Sequence, residues 1–139
     1  MSMRAVVIGS VSIVVAAIVV GAAEPPVDKL LSTGMSAQLK ICREASKAIE
    51  QISAKGEVID AGTIYVWSRR LMECERDLAV KNSDRMAAVM AHVERMRSLR
   101  ESTYKNWVAG KTTRLEYLDV QFHYNEAVSS MVSEKTNKK

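Results

Sequence analysis

Two cysteines carry the most reactive side chains in this chain of 139 residues. Cys42 and Cys74 are equally distant in sequence from Val58. In an antiparallel helical hairpin that turns at Val58, the two thiols would lie at the same level. An exported chain meets oxidising conditions, in which such a pair forms a disulfide. The sequence therefore predicts a Cys42–Cys74 disulfide that stabilises the fold by ~3–4 kcal/mol, and the alternative is two reduced cysteines that fill the core.

The remaining candidate groups do not assemble into a catalytic or metal site. His92 and His123 are the only histidines, and a hairpin turn between them would offset them by roughly 10 Å, or about two helical turns. Glu73, Glu75 and Asp77 are spaced two apart, which directs them to different sides of a helix. The sequence has no glycine-rich phosphate loop and no Ser-His-Asp pattern. We predict a protein that is not an enzyme and that holds no cofactor or metal ion.

The N-terminus has the features of an export signal. Residues 5–23 carry no charge and follow Arg4, and Gly21-Ala22-Ala23 offers the small side chains that a signal peptidase needs. This apolar run is longer than the ~7–15 residues of a usual signal and approaches the ~20 that span a bilayer. We predict that residues 1–23 are a signal peptide or an N-terminal membrane anchor. The rest of the chain would then lie in the periplasm, either free or anchored to the inner membrane.

Charges of both signs alternate along the chain, as in the segment RRLMECERD at residues 69–77. Alternation is typical of a solvated helix face, whereas nucleic-acid binding needs a block or stripe of one sign. Much of the positive excess lies at the C-terminus, in Lys135, Lys138 and Lys139. The sequence therefore predicts no nucleic-acid partner.

The composition predicts an all-α protein. Prolines occur only at positions 25 and 26, glycines are few, and no alternating run of β-branched residues is bounded by turns. We interpret residues 24–34 as a linker because they contain both prolines and end in Ser32-Thr33-Gly34. Residues 35–135 would form a helical hairpin domain, and residues 136–139 a basic, frayed tail.

The first helix is predicted over residues 35–55, where Gly56 ends it and Asp60 caps the next helix. Apolar residues spaced three or four apart collect on one side of each helix. In the first helix they are Met35, Leu39, Cys42, Ile49 and Ile52, and in the second Ile64, Trp67, Leu71, Cys74 and Leu78.

Three weak helix formers, Asn82-Ser83-Asp84, interrupt the second stripe, which resumes in a shifted phase and ends near Trp107. The favoured interpretation is one long central helix of ~70 Å, bent at this point and flanked by two shorter helices in long antiparallel, coiled-coil-like hairpins. The alternative is a four-helix bundle in which Ser83 caps a new helix. The resumed stripe contains Met86, Val89, Val93, Met96 and Thr103.

A second turn is predicted in the segment WVAGKTTRLEYLDVQ, residues 107–121. Gly110 would end one helix, and Thr113 with Glu116 forms the capping box that starts the next. The last helix is apolar on two sides, which predicts that it contacts more than one neighbour, within the chain or between copies. One side has Leu115, Leu118 and Phe122, and the other has Tyr117, Val120, Tyr124, Val128 and Met131.

This turn resembles that of the outer-membrane efflux protein family, the TolC-like channels, at Trp107, Gly110, Thr113, Glu116, Leu118, Gln121 and Ala127. In that family the turn is the periplasmic tip of a long helical hairpin, where adaptor proteins dock. The resemblance implies that Gly110, Lys111 and Thr112 form an exposed interaction tip, with Glu116 just inside it. It covers only residues 107–127, and the family's channels are much longer and contain barrel strands that this sequence does not predict.

We therefore predict a non-enzymatic, exported helical interaction or structural protein of the bacterial cell envelope, with protein partners and self-association. The alternative is a periplasmic chaperone-like or stress-binding protein that holds unfolded chains in an apolar helical cradle. A third interpretation is an accessory component of an efflux transport system.

Overall fold

The computed structural model describes residues 26–136. These residues form four α-helices and no strand: α1 (Val27–Ala54), α2 (Ala61–Leu78), α3 (Asn82–Val108) and α4 (Arg114–Thr136). The predicted all-α class is confirmed. The predicted leader at residues 1–23, the first two residues of the predicted linker and most of the predicted tail lie outside the described part of the chain. None of the described helices is long and apolar enough to cross a membrane.

The prediction of one long central helix is wrong, and the four-helix alternative agrees with the structure. The chain leaves the helix at Ala79, whose ψ is 124°, and stays extended at Lys81, which precedes α3. Ser83 does not cap the new helix, because α3 begins at Asn82 with Lys81 in the cap position. The Ser83 hydroxyl donates to the Asp84 carboxylate at 3.3 Å. The break allows α3 to fold back and bury the resumed apolar stripe, including Met96, which is fully buried. This packing outweighs the local helix propensity of the connecting residues.

The predicted linker is also corrected, since α1 begins at Val27 and includes Gly34. The carbonyl of Pro26 accepts the first helical N–H group, from Lys29 at 2.9 Å. Proline is tolerated at a helix start because its missing N–H group would have no partner there. The hydroxyls of Ser32 and Thr33 donate to the Lys29 carbonyl, at 3.1 Å and 2.8 Å, so residues that suggested a loop are accommodated within the helix.

Both predicted glycine stops are present. Gly56 has φ 77° and Gly110 has φ 70°, in the left-handed region that residues with a Cβ avoid. Each glycine closes its helix by the same pair of backbone bonds, the Schellman arrangement. At the first turn these bonds are Gly56 N–H to Ser53 O (3.0 Å) and Glu57 N–H to Ile52 O (3.3 Å). At the second they are Gly110 N–H to Trp107 O (2.9 Å) and Lys111 N–H to Asn106 O (2.8 Å).

The helix starts after both glycines are capped as the sequence predicts. Asp60 accepts the N–H of Thr63 at 2.8 Å. Thr113 donates its N–H to Glu116 at 2.7 Å and accepts the Glu116 N–H on its hydroxyl at 3.1 Å. The second set is the reciprocal capping box, and it fixes the direction in which α4 leaves the turn.

The core lies where α2, α3 and α4 meet, and α4 runs back along the whole of α3. At one end of this pair Arg85 bonds to Glu134 at 2.9 Å, and at the other Trp107 stacks on Tyr117 with ring centroids 5.2 Å apart. The buried residues of the core are Tyr65, Val93, Met96, Leu99, Val120 and Ala127.

Helix α1 lies outside this core and packs against α2. Cys42, 5% exposed, is the only buried residue on α1. The predicted apolar side of α1 is therefore only partly covered, and open grooves run along both sides of the α1–α2 contact.

Candidate functional site

Polar side chains from three helices meet at the edge of the core. We call Tyr65 and Ser68 of α2, His92 and Arg95 of α3, and His123 and Glu126 of α4 the histidine–tyrosine cluster. Tyr65, Ser68 and His92 are buried. Buried polar groups must find hydrogen-bond partners inside the protein, and each helix supplies partners for another.

Tyr65 lies between the two histidines. Its ring stacks on His123 with centroids 3.6 Å apart and planes 12° apart, and lies 6.3 Å from the ring of His92. Its hydroxyl donates to Glu126 at 2.6 Å and accepts from Arg69 at 3.1 Å. The pKa of Tyr65 is raised mainly by burial, and the hydrogen bond to Glu126 raises it further. The same bond holds the pKa of Glu126 below its usual range.

A second set of bonds joins α2 to α3. Ser68 Oγ lies 2.8 Å from His92 Nδ1, and Arg95 donates to the Ser68 hydroxyl at 2.7 Å and to its carbonyl at 3.3 Å. The Ser68 oxygen accepts the bond from Arg95, so the Ser68 hydroxyl can donate its own proton to His92. Neutral His92 then accepts this bond on Nδ1. Burial, and then the charge of Arg95, lower the pKa of His92 to about 4.

A serine bonded to a histidine is also the start of a nucleophilic catalytic pair, and the geometry argues against that role. Ser68 and His92 are each only 3% exposed. A histidine with a pKa of about 4 is a weak base at neutral pH. The Ser68 hydroxyl already accepts a bond from Arg95. These features favour a role in fixing how the helices pack.

His123 is less satisfied than His92. Its Nδ1 is buried without a hydrogen-bond partner among the described residues. The nearest carboxylates are those of Glu126, 3.6 Å from Nδ1, and Asp119, 3.6 Å from Nε2. Within residues 26–136 no three histidine, cysteine or carboxylate side chains are grouped so that they could hold a metal ion.

The sequence identifies both histidines but not Tyr65, the residue that joins them. Tyr65 belongs to neither predicted stripe, and the favoured continuous central helix would not bring α3 beside α2. A signal for burial was present, because His92 and His123 lie at helical spacing from residues of the buried stripes, Val89 and Val120 among them.

The two predicted disulfide partners lie beside one cleft between α1 and α2. Cys42 is buried and Cys74 is half-buried, and both thiols are free in the structure. Burial, and then the neighbouring thiol of Cys42, raise the pKa of Cys74. The two predicted partners are thus neighbours across the α1–α2 contact, whereas the disulfide itself stays a prediction.

The residues of the predicted interaction tip lie together at the α3–α4 turn. Gly110, Lys111 and Glu116 are exposed and Thr112 is half-buried. The Thr112 hydroxyl bonds to the Glu116 carboxylate, and the bonds from Thr112 and Thr113 lower the pKa of Glu116. The carboxylate of Glu116 is therefore bonded to groups of the turn itself. Lys111 is exposed, and its charge is available to a partner.

Three aromatic rings support this turn from the side. Trp107 stacks on Tyr117, and Tyr104 contacts both, with centroids 5.9 Å from Trp107 and 5.5 Å from Tyr117. Trp107, the aromatic residue in the efflux-like segment, thus ties the end of α3 to the start of α4.

The side of α4 that faces away from the core is apolar and uncovered. Leu115, Leu118 and Phe122 are 76%, 47% and 64% exposed, whereas Val120 and Ala127 on the opposite side are buried. Of the two apolar sides predicted for this helix, one packs in the core and the other has no cover among the described residues.

Comparison with family models, curated proteins and solved structures gives no match to this chain. The likeness of residues 107–127 to efflux proteins therefore stays a prediction.

Proposed function

We propose that this chain is a non-enzymatic, exported helical interaction protein of the bacterial cell envelope. Two copies pair in parallel through the exposed side of α4, and the paired α3–α4 turns bind a protein partner. The observation that carries this proposal is the exposed stripe of Leu115, Leu118 and Phe122, which lies next to the turn. Exposed apolar stripes of this kind mark interaction sites.

The exposed side of α4 follows a heptad pattern. Leu115, Leu118 and Phe122 have spacings of three and four, and the positions that continue the pattern are Asn125, Ser129 and Val132. In a coiled coil these are the a and d positions, which face the partner helix. The buried Val120 and Ala127 then fall on f positions, on the side opposite the seam, so one helix serves the core and a partner at once.

The charges beside the seam favour a second copy in parallel. In a parallel pair, a g residue faces the e residue five positions later in the other helix. Arg114 lies at g and Asp119 at e, so each would meet its opposite charge in the partner copy. In an antiparallel pair the e positions would face each other instead, and these are the acidic residues Asp119 and Glu126.

Parallel pairing also explains why the turn and the seam occur together. It places the α3–α4 turns of both copies at the same end of the pair. There Gly110 and Lys111 of one copy and the same two residues of the other form one composite surface. This is the surface that the efflux resemblance implies for adaptor binding.

The mass of the assembly in solution tests this proposal. The full chain, purified from envelopes of expressing cells, is expected to sediment as a dimer, and Phe122→Ser is expected to sediment as a monomer. The matched control is Val66→Ser, because Val66 is also exposed but lies on α2. A wild-type monomer, or the same mass for Phe122→Ser and wild type, would contradict pairing through α4.

A groove supports the second candidate function, a chaperone-like protein. The groove lies between α1 and α3, has a volume of about 740 Å³ and has Ile49, Ile64 and Leu99 among its lining residues. An apolar segment of an unfolded chain fits such a surface. Wild type would then suppress the aggregation of a denatured client. Loss of this activity in Ile49→Ser, a half-buried position of the groove outside the core, together with its retention in Phe122→Ser would favour this candidate over α4 pairing.

A further inference from the structure

The cysteine pair lies where α1 is most deeply buried against α2. Cys42 is the only buried residue of α1, and α1 makes its helix contacts with α2. A salt bridge between Arg43 and Glu75, at 3.4 Å, lies next to the cysteines, and its arginine is largely exposed. Exposed ion pairs contribute little to stability, so α1 is held on α2 by Cys42 and by apolar residues that are only half-buried, such as Leu39 and Ile49.

The two thiols differ in how accessible they are. Both line one open cleft of about 410 Å³ together with Met35, Trp67 and Arg70. Cys74 is half-buried, whereas Cys42 is only 5% exposed. A reagent that enters the cleft therefore reaches Cys74 more easily than Cys42.

We propose that Cys42 and Cys74 form an oxidisable dithiol site, which reacts with an external disulfide and covalently locks α1 onto α2. The accessible Cys74 reacts first, and the buried Cys42 resolves the intermediate. This inference uses no feature of α4 and does not depend on the proposed pairing.

The reaction is a pair of thiol–disulfide exchanges. The Cys74 thiolate attacks one sulfur of the external disulfide, which forms a mixed disulfide and releases one thiolate. The Cys42 thiolate then attacks the Cys74 sulfur, which forms the Cys42–Cys74 bond and releases the second thiolate. The chain loses two electrons and two protons, and the external disulfide gains them as two thiols.

The raised pKa of Cys74 affects the rate of this exchange and not its direction. Burial and the Cys42 thiol, with smaller effects of Asp77 and Glu73, keep the Cys74 thiolate scarce at neutral pH. Because the thiolate is the attacking species, the uncatalysed reaction is expected to be slow.

The test uses the full chain and oxidised glutathione as the external disulfide. After incubation, mass spectrometry is expected to show a species lighter by two hydrogen atoms, with residues 42 and 74 joined in one disulfide-linked peptide pair. Amide hydrogen exchange in α1 is expected to slow at least about tenfold relative to the reduced chain, because the new bond removes openings that detach α1. Exchange in α3 and α4 is expected to change little.

Two variants separate the roles of the cysteines. Cys42→Ser is expected to accumulate a glutathione adduct on Cys74, because no thiol is left to resolve it. Cys74→Ser is expected to stay unmodified at Cys42 unless the chain is unfolded. Circular dichroism of each variant is recorded first, and the wild-type result decides the proposal by itself if either variant is misfolded.

Three results would overturn the formation of the bond. These are a wild-type chain that keeps both thiols free under these conditions, a stable glutathione adduct on wild-type Cys74, and disulfides formed between chains instead of within one. Formation of the Cys42–Cys74 bond without slower exchange in α1 would overturn the locking of α1.

Discussion

The ring of Tyr65 lies flat on the imidazole of His123, with centroids 3.6 Å apart, so α2 and α4 are joined through a stacked pair. These two helices make few other contacts. The Tyr65 hydroxyl reaches a second residue of α4, Glu126, at 2.6 Å. One side chain of α2 thus contacts α4 through both its ring and its hydroxyl.

Replacing Tyr65 by phenylalanine separates these two effects. Tyr65→Phe keeps the ring against His123 but removes the hydroxyl, which leaves Glu126 without this partner. We expect a loss of ~1.5 kcal/mol in the free energy of unfolding, at the lower end for a hydrogen bond to a charged group, because Glu126 is exposed. Urea unfolding measures it, with Tyr104→Phe as the control because Tyr104 is exposed. Equal effects of the two substitutions would show that the Tyr65 hydroxyl contributes nothing specific.

The stability of the fold is expected to fall as the pH drops from about 6.5 to about 4. The pKa of His92 is lowered from 6.5 to about 4 in the folded state, so the unfolded chain binds a proton over this range that the folded chain does not. By linkage, His92 contributes up to ~3 kcal/mol above pH 6.5 that is lost by pH 4. The groups that face it are Ser68, Tyr65, Arg95, Arg69, Glu73 and Glu126.

Unfolding midpoints in urea between pH 4 and pH 7.5 test this dependence. His92→Gln keeps a polar side chain at this position but does not titrate, so its stability is expected to change less with pH than that of the wild type. Glu126 affects stability at lower pH than His92, because its pKa lies below its usual range in the folded state. Its contribution to the free energy of unfolding is lost as the pH falls through that lowered pKa. Identical pH profiles for wild type and His92→Gln would rule out the assigned role of His92.

Local signals predicted the ends of the helices better than the path of the chain between them. Gly56, Gly110, Asp60 and the Thr113–Glu116 box were all assigned correctly, because these features act within four or five residues. The break after Leu78 was not favoured, because it follows from the burial of α3 against α2 and α4 and not from the residues at the break. The histidine–tyrosine cluster was missed for the same reason, since its partners come from three helices that only the correct path brings together.

The two kinds of glycine in this chain are expected to respond oppositely to alanine. Gly110 has φ 70°, and a Cβ in that conformation costs ~1–2 kcal/mol. Gly34 lies inside α1, and a Cβ there would meet nothing within 4 Å, so Gly34→Ala is expected to stabilise the helix by ~0.5–1 kcal/mol. Thermal unfolding of both variants measures the difference, and a destabilised Gly34→Ala would contradict the helical assignment of residues 27–34.

The charges beside the α4 seam provide a test of parallel pairing that does not depend on removing apolar surface. In the proposed pair, Arg114 of each copy faces Asp119 of the other, so Arg114→Asp places two acidic pairs across the seam and Asp119→Arg places two basic pairs there. Each exposed ion pair contributes ~0.2–1 kcal/mol, and two are reversed at once. Either variant alone is therefore expected to dimerise about tenfold more weakly, which sedimentation at several concentrations measures.

An equimolar mixture of Arg114→Asp and Asp119→Arg is the measurement that decides between parallel and antiparallel pairing. In a mixed pair, the aspartate introduced at position 114 of one chain faces the arginine introduced at position 119 of the other, and the unchanged Arg114 and Asp119 face each other on the second side. The mixture is expected to regain wild-type affinity at low salt and to lose part of it at high salt, because exposed charges are screened. In an antiparallel pair positions 114 and 119 would not meet, so mixing the two variants would restore no affinity beyond that of the separate variants. Absence of this recovery would reject the parallel pair.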